Sequence, residues 1–188
     1  MTNLLRSLRL TLVLVVILGL VYPLVVTGFG RLLFPSQANG SLVRFGGRIV
    51  GSRLIAQAVN VPGLFHPRPS AVKYAGNGSG GSNLGPTNPA LFREVGSNLA
   101  AADLPPGTKL SAVPPDMVES SASGLDPDIT PANARLQIPR IARSTGLSRR
   151  WLWRLVLREE TGPFLGLWGQ PMVNVWRLNL ALLRKSGG

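Results

Sequence analysis

The sequence predicts an α+β protein in which a single N-terminal transmembrane helix precedes one mixed α/β soluble domain with long Gly/Pro-rich loops. Three observations lead there. Twenty-one uncharged residues separate Arg9 from Arg31. Short apolar pairs broken by glycines, and later two capped helical periodicities, call for strands and helices in one domain. Between them, Pro62 to Pro89 is too rich in Gly, Pro, Ser and Asn for any regular element.

These divide the 188 residues into a basic tail (1–9), a span (10–33) and an extramembrane domain (34–188), enough chain for one ordinary core. The run LTLVLVVILGLVYPLVVTGFG would be roughly 31 Å long as a helix, the thickness of a bilayer's hydrocarbon layer. Thr11 and Thr27 can bond their own helix carbonyls, Tyr22 suits a headgroup layer, and Pro23 kinks rather than forbids the helix. Gly19, Gly28 and Gly30 allow close approach of neighbouring helices. A cleaved signal peptide would have a shorter apolar core and an A-x-A-like site, to which Val26-Thr27-Gly28 is the nearest approximation, so a retained span is expected. Charge does not orient it: Arg6, Arg9 and the amine on one side balance Arg31, Arg44 and Arg48 on the other.

After the span, Pro35 halts the helix and Asn39-Gly40 favours a tight turn. Leu42-Val43, Ile49-Val50 and Leu54-Ile55, separated by Gly46-Gly47 and Gly51-Ser52, predict short strands. In the long loop, Phe65, Tyr74, Leu84, Leu91 and Phe92 are the anchors expected to order it and to offer a partner surface. Thr130 followed by Pro131 predicts a capped helix that Pro139 bends or divides. Ser148 caps RRWLWRLVLREE, with Arg150, Arg154 and Arg158 on one face and Trp151, Leu152, Leu155 and Val156 on the apolar one. VNVWRLNLALLRK fits a helical stripe of Val173, Trp176, Leu180 and Leu183 capped by Asn174, although Trp176, Leu178, Leu180 and Leu182 also alternate.

Composition excludes several chemistries. Without cysteine there is neither a disulfide framework nor thiolate catalysis, and the single His66 cannot build a metal site. The net charge of +12 favours anionic partners, phospholipid included, but ten Lys and Arg lie before Ser111 and ten after it, without the basic, aromatic-interleaved block expected of a nucleic-acid binder. Gly76-Asn77-Gly78-Ser79-Gly80-Gly81 matches G-x-G-x-x-G, yet Pro86 and Pro89 stand where the required helix would run, and no GKS or GKT follows any glycine run. A triad would need His66 to meet Ser79, Ser82 or Ser123 across the fold, and no G-x-S-x-G frames the loop serines; His66 is expected to be a partly exposed loop residue. Asp126 and Asp128 fall short of a calcium loop and read as a turn before Thr130. Asn39-Gly40-Ser41 and Asn77-Gly78-Ser79 match the glycosylation pattern and also read as turns.

Four longer blocks carry more information. YPLVVTGFGRLLFPSQANGSLV (22–43), RPSAVKYAGNGSGGSNLGPTNPAL (68–91), SASGLDPDITPANARLQIPRIA (121–142) and VNVWRLNLAL (173–182) occur in that order after one span. In them the chain resembles the C subunit, KdpC, of the bacterial Kdp potassium-transporting P-type ATPase complex. The segment from Ala56 to His66 departs from the family pattern. The resemblance implies a non-catalytic subunit that assembles with a potassium-translocating subunit, an ATP-hydrolysing subunit and a small single-helix subunit. It also implies a catalytic chaperone that promotes ATP binding by the hydrolysing subunit. The implied location is the inner membrane, with the N-terminus cytoplasmic and the domain periplasmic, which puts a bilayer about 30 Å thick between domain and cytoplasmic ATP. Two mechanisms then remain, coupling through the span or shaping the outer potassium entrance, although a charge of +12 would repel the cation there.

For a nucleotide or partner contact, the expected residues are Arg68, Ser79, Gly80, Gly81, Ser82 and Asn83, since small residues free backbone N–H groups and Arg supplies charge. ATP would be held only in a ternary complex with the hydrolysing subunit. The alternative is a membrane-anchored enzyme using the Gly/Ser-rich loop and His66.

Overall fold

The computed structural model describes residues 2–186. Two compact units divide between Leu42 and Val43. In the first, α1 (Thr2–Val16) and α2 (Tyr22–Leu33) are joined by a π-helical segment, Ile17–Val21. Together they make one apolar helix, Thr2–Leu33, the only one among the described residues long and apolar enough to cross a bilayer. At 32 residues it is about 48 Å long and begins well before the expected 10–33 span. The π segment answers Pro23, whose ring would collide with the carbonyl four residues back, that of Gly19. The helix widens there, and the Tyr22 N–H donates five residues back to the Ile17 carbonyl. A short α3 (Pro35–Ala38) follows, and Gly40, at φ +79°, makes the exit turn.

The second unit opens with a hairpin, β1 (Leu42–Phe45) and β2 (Arg48–Ser52), turned by Gly46 and Gly47 at φ +57° and +77°. Positive φ at both turn positions is what a two-residue hairpin needs and what glycine supplies. The expected strand at Leu54-Ile55 is absent. Its backbone acceptors are taken by side chains instead: the Asn174 amide donates to the Arg53 carbonyl and the Trp176 indole to that of Ile55.

No helix or strand forms between Ser52 and Pro89. The loop is nevertheless anchored by Phe65, which is fully buried, and by half-buried Tyr74, whose hydroxyl donates to the Arg68 carbonyl. Leu91 and Phe92 belong to α4 (Pro89–Ala101), and Phe92 is 66% exposed, so it anchors nothing. That helix was not expected, although Asn88 caps it and Pro89 occupies its first turn.

The core lies further on. α5 (Pro115–Val118) leads to β3 (Asp128–Ile129), α6 (Pro131–Thr145), α7 (Arg149–Glu159), β4 (Glu160–Thr161), β5 (Met172–Asn174) and α8 (Val175–Ser186). The strands form an antiparallel sheet in the order β3-β5-β4, with Ile129 opposite Val173 and Glu160 opposite Val173 on the other side. Helices α6, α7 and α8 cover it, enclosing Phe65, Ile141, Leu152, Val156 and Leu178.

The caps read at Thr130 and Ser148 are present: their side chains accept from the backbone N–H of Asn133 and Trp151. α6 runs unbroken through Pro139, so that proline does not divide it. The C-terminal segment changes element midway, strand to Asn174 and helix from Val175, and Asn174 accepts from the Arg177 N–H. The buried stripe of α8 is Val175, Leu178, Asn179 and Leu182, not the expected Trp176, Leu180 and Leu183, which lie half-buried beside it.

Candidate functional site

Buried polar side chains in the second unit concentrate along one face of α6. Asn133, Gln137 and Arg140 recur at helical spacing and are 1%, 5% and 6% exposed, so each needs its hydrogen bonds met inside the protein. At the start of the row, Asp116 accepts from the Thr130 N–H (2.7 Å), the Thr130 hydroxyl (3.0 Å) and the Asn133 amide (3.1 Å). Gln137 donates to the Asn133 side chain and to the His66 carbonyl, and its Oε1 accepts from the His66 N–H and from Arg140. Arg140 donates to the carbonyls of Pro62 and Leu64. From α8, Asn179 accepts from the Phe65 N–H at 2.7 Å and donates to its carbonyl at 2.9 Å, completing the backbone pairing of a residue that lies in no strand. Two helices thus hold the 61–66 segment.

His66 is half-buried at the edge of this network, beside a polar cleft of about 320 Å³ lined also by Tyr74, Asn98, Gln137 and Arg140. Its Nε2 lies 3.2 Å from the Val61 carbonyl oxygen and 3.3 Å from the Arg140 guanidinium. Burial first, and then the Arg140 charge, push its pKa below 6.5, against the raising effect of the Val61 bond. The neutral ring is therefore favoured by folding. That contribution to stability is complete above pH 6.5 and is lost as pH falls from 6.5 through the lowered folded value. Stability is expected to fall below pH 6.5 by at most about 1.4 kcal/mol per pH unit, less because solvent screens a half-exposed ring. His66→Gln should flatten that slope in urea melts of the full chain taken above and below pH 6.5; equal slopes in both proteins would refute the assignment.

Of the residues expected to bind a nucleotide or a partner, Arg68, Ser79, Gly80 and Gly81 converge on one segment, Ser120 to Asp126. Arg68 meets Asp126 at 3.4 Å and reaches the Ser120 carbonyl. The Ser79 hydroxyl and the Gly80 N–H both donate to the Ser123 carbonyl, at 3.0 and 2.9 Å. A Cβ at Gly81 would lie 3.1 Å from the Ala122 Cα, so this glycine allows two backbones to touch. Asn83, at φ +53°, folds its amide back onto the Gly81 carbonyl, and Ser82 is half-buried between them. Asp126 also accepts from the Asp128 N–H, the turn expected before Thr130. Burial raises the pKa of Asp128, the Asn174 amide opposing it.

No helix follows Gly81 until Pro89, so the G-x-G-x-x-G run does not deliver a phosphate to a helix N-terminus. The Nε2 of His66 faces the Val61 carbonyl, to which it can donate, and Arg140, from which it can accept, one or the other according to tautomer, while the Ser79 and Ser123 side chains bond backbone groups of Ser123 and Leu125. Among the described residues, no cluster of three or more His, Asp or Glu could hold a metal ion.

Gly124 locks the two segments together. It sits at φ +67°, and a Cβ there would lie 2.5 Å from Val72 Cγ2 and 2.7 Å from the Gly80 carbonyl oxygen. Gly124→Ala combines left-handed backbone strain with steric overlap and should cost about 3 kcal/mol. Thermal unfolding monitored by near-UV circular dichroism tests this, and an unchanged midpoint would contradict it.

The polar helix-to-loop bonds, Asp116, and the clamping of the Phe65 backbone by Asn179 were not foreseen. The signal for the first was present as NxxxQxxR, polar residues at helical spacing where an apolar stripe belongs.

Comparisons with known proteins bear on this arrangement as a whole. The family model described as "KdpC: K+-transporting ATPase, c chain" matches residues 4–184. Among curated relatives, the potassium-transporting ATPase KdpC subunit of Caldanaerobacter subterraneus subsp. tengcongensis is 47% identical over 96% of this chain and 94% of its own. That of Koribacter versatilis is 46% identical over 96% and 93%. That of Burkholderia vietnamiensis is 51% identical over 94% and 93%.

Proposed function

The chain belongs to the KdpC family, the c chain of the potassium-transporting ATPase, and from that premise we propose that it is a non-catalytic accessory subunit of a potassium-importing P-type ATPase complex. In this role it assembles and stabilises the potassium-translocating, ATP-hydrolysing and small single-helix subunits, and promotes ATP binding by the hydrolysing one. It resides in the inner membrane, N-terminus in the cytoplasm and domain on the periplasmic side. The observation that carries the reading is that the match runs from residue 4 to 184, through the apolar helix and the domain alike.

Within that role, Arg68 and Ser79 to Asn83 serve as a partner contact rather than a nucleotide cradle. A phosphate site needs free donors and an unneutralised cation. Here the Gly80 N–H and the Ser79 hydroxyl are both given to Ser123, and Arg68 faces Asp126. Promotion of ATP binding then acts by coupling through the span and neighbouring helices. Equilibrium dialysis of ATP against the full chain in detergent should give no binding without the hydrolysing subunit; saturable binding by the chain alone would restore direct contact.

Sidedness tests the topology. The absence of cysteine lets Ser111→Cys, at an exposed position, serve as a single reporter. Intact cells should label with a membrane-impermeant maleimide, whereas labelling only after permeabilisation would place the domain inside. Co-purification with the ATP-hydrolysing and potassium-translocating subunits in mild detergent tests assembly, and recovery as a free monomer would count against it.

A further inference from the structure

An exposed apolar surface lies away from the α6 network and takes no part in it. Between β4 and β5 the chain makes a tight turn in which Phe164, Leu165, Leu167 and Trp168 are 71%, 73%, 76% and 62% exposed. This turn is built rather than frayed. The Phe164 N–H donates to the Trp168 carbonyl at 2.8 Å, those of Gly166 and Leu167 donate back to Pro163 and Phe164, and the two aromatic rings sit 6.5 Å apart. Leu165 and Gly166 both hold positive φ, +52° and +74°, to close it. Four large apolar side chains are thus held outward on a narrow projection, where burial in a protein core would have been expected of them.

Helix α7, which ends where β4 begins, carries a second exposed face with apolar side chains. Its inner side buries Leu152, Leu155 and Val156. Its outer side carries Trp153 and Leu157, 46% and 49% exposed, interleaved with exposed Arg150, Arg154 and Arg158. Glu159 pairs with Arg158 and Glu160 with Arg135, which leaves Arg150 and Arg154 without an acidic partner among the described residues. Aromatic and aliphatic side chains mixed with unpaired arginines, and no free carboxylate among them, are the features of a surface that lies in a lipid headgroup layer. The charges complement anionic lipid, and the chain's overall +12 points the same way. Nine residues, 34 to 42, link the end of the apolar helix to the second unit.

We propose that the Pro163–Gly169 turn inserts into the interfacial layer of an anionic bilayer, with Arg150 and Arg154 of α7 on lipid phosphates. The domain would then be held to the membrane at a second point besides its helix.

The test uses the full chain in nanodiscs and again exploits the absence of cysteine. A nitroxide is placed at Leu167→Cys, with Ser111→Cys as the aqueous control, in discs of phosphatidylglycerol and phosphatidylcholine or of phosphatidylcholine alone. Near-UV circular dichroism verifies the fold of each variant. The expected result is an oxygen-to-nickel accessibility ratio several-fold higher at 167 than at 111 in the anionic discs. It should fall towards the control when Arg150→Glu and Arg154→Glu are introduced or when phosphatidylglycerol is omitted. A water-like label at 167 in anionic discs overturns the proposal. So does a label that becomes occluded only when partner subunits are added, which would assign the turn to a protein. Neither outcome depends on whether the chain co-purifies with an ATPase.

Discussion

Phe65→Ala is expected to destabilise the second unit by about 3–5 kcal/mol, the cost of emptying a fully packed aromatic site. Phe65 comes from a segment with no secondary structure, yet it is completely buried in the main core with residues of α6, α7 and α8. Its backbone is clamped by Asn179 through both N–H and carbonyl. Those two anchors are coupled. Removing the ring releases the reason for the loop to lie there, and Asn179→Ala leaves two buried backbone groups unpaired, at about 2 kcal/mol. Because both act on one loop position, the double variant should lose less than the sum of the single ones. Chemical unfolding of the four proteins measures this; strict additivity, or a loss under 1 kcal/mol for Phe65→Ala, would show that the loop is not held in this way.

Asp116→Ala should be nearly as damaging, at about 3 kcal/mol, because the buried carboxylate accepts three hydrogen bonds and fixes the first turn of α6. Removing it strands the Thr130 N–H and the buried Asn133 amide. The latter then loses its hold on the row that continues to Gln137 and Arg140. Asp116→Asn keeps one acceptor oxygen and should recover about half of the loss. Thermal unfolding of both variants decides: an alanine variant as stable as the parent would mean that Thr130 alone caps α6.

The features legible in the sequence are those with local causes. The apolar helix, the Gly46-Gly47 hairpin and the caps at Thr130, Ser148 and Asn174 each follow from residues within a few positions of one another. The strands β3, β4 and β5 are two or three residues long, too short for alternation to register, and exist because β5 has a partner on each side. The stripe of α8 was misread because its buried face includes Asn179, a polar residue whose partner is 114 positions away. Leu54-Ile55 has strand composition, but side chains of Asn174 and Trp176 satisfy the backbone that a neighbouring strand would have bonded. The convergence of Arg68 and Ser79 to Gly81 on Ser120 to Asp126 is likewise a long-range fact, and the nearest sequence trace of it is Gly124, a glycine required at positive φ.

In the proposed role, the chain supports catalysis on another subunit rather than performing it. Potassium-stimulated ATP hydrolysis by the purified complex, assembled with and without this chain, tests it most directly. Omission is expected to abolish stimulated hydrolysis and release the other subunits from one another, and adding the chain back to restore both, with His66→Ala as effective as the parent. A complex that assembles fully and hydrolyses ATP at the full potassium-stimulated rate without the chain would contradict it.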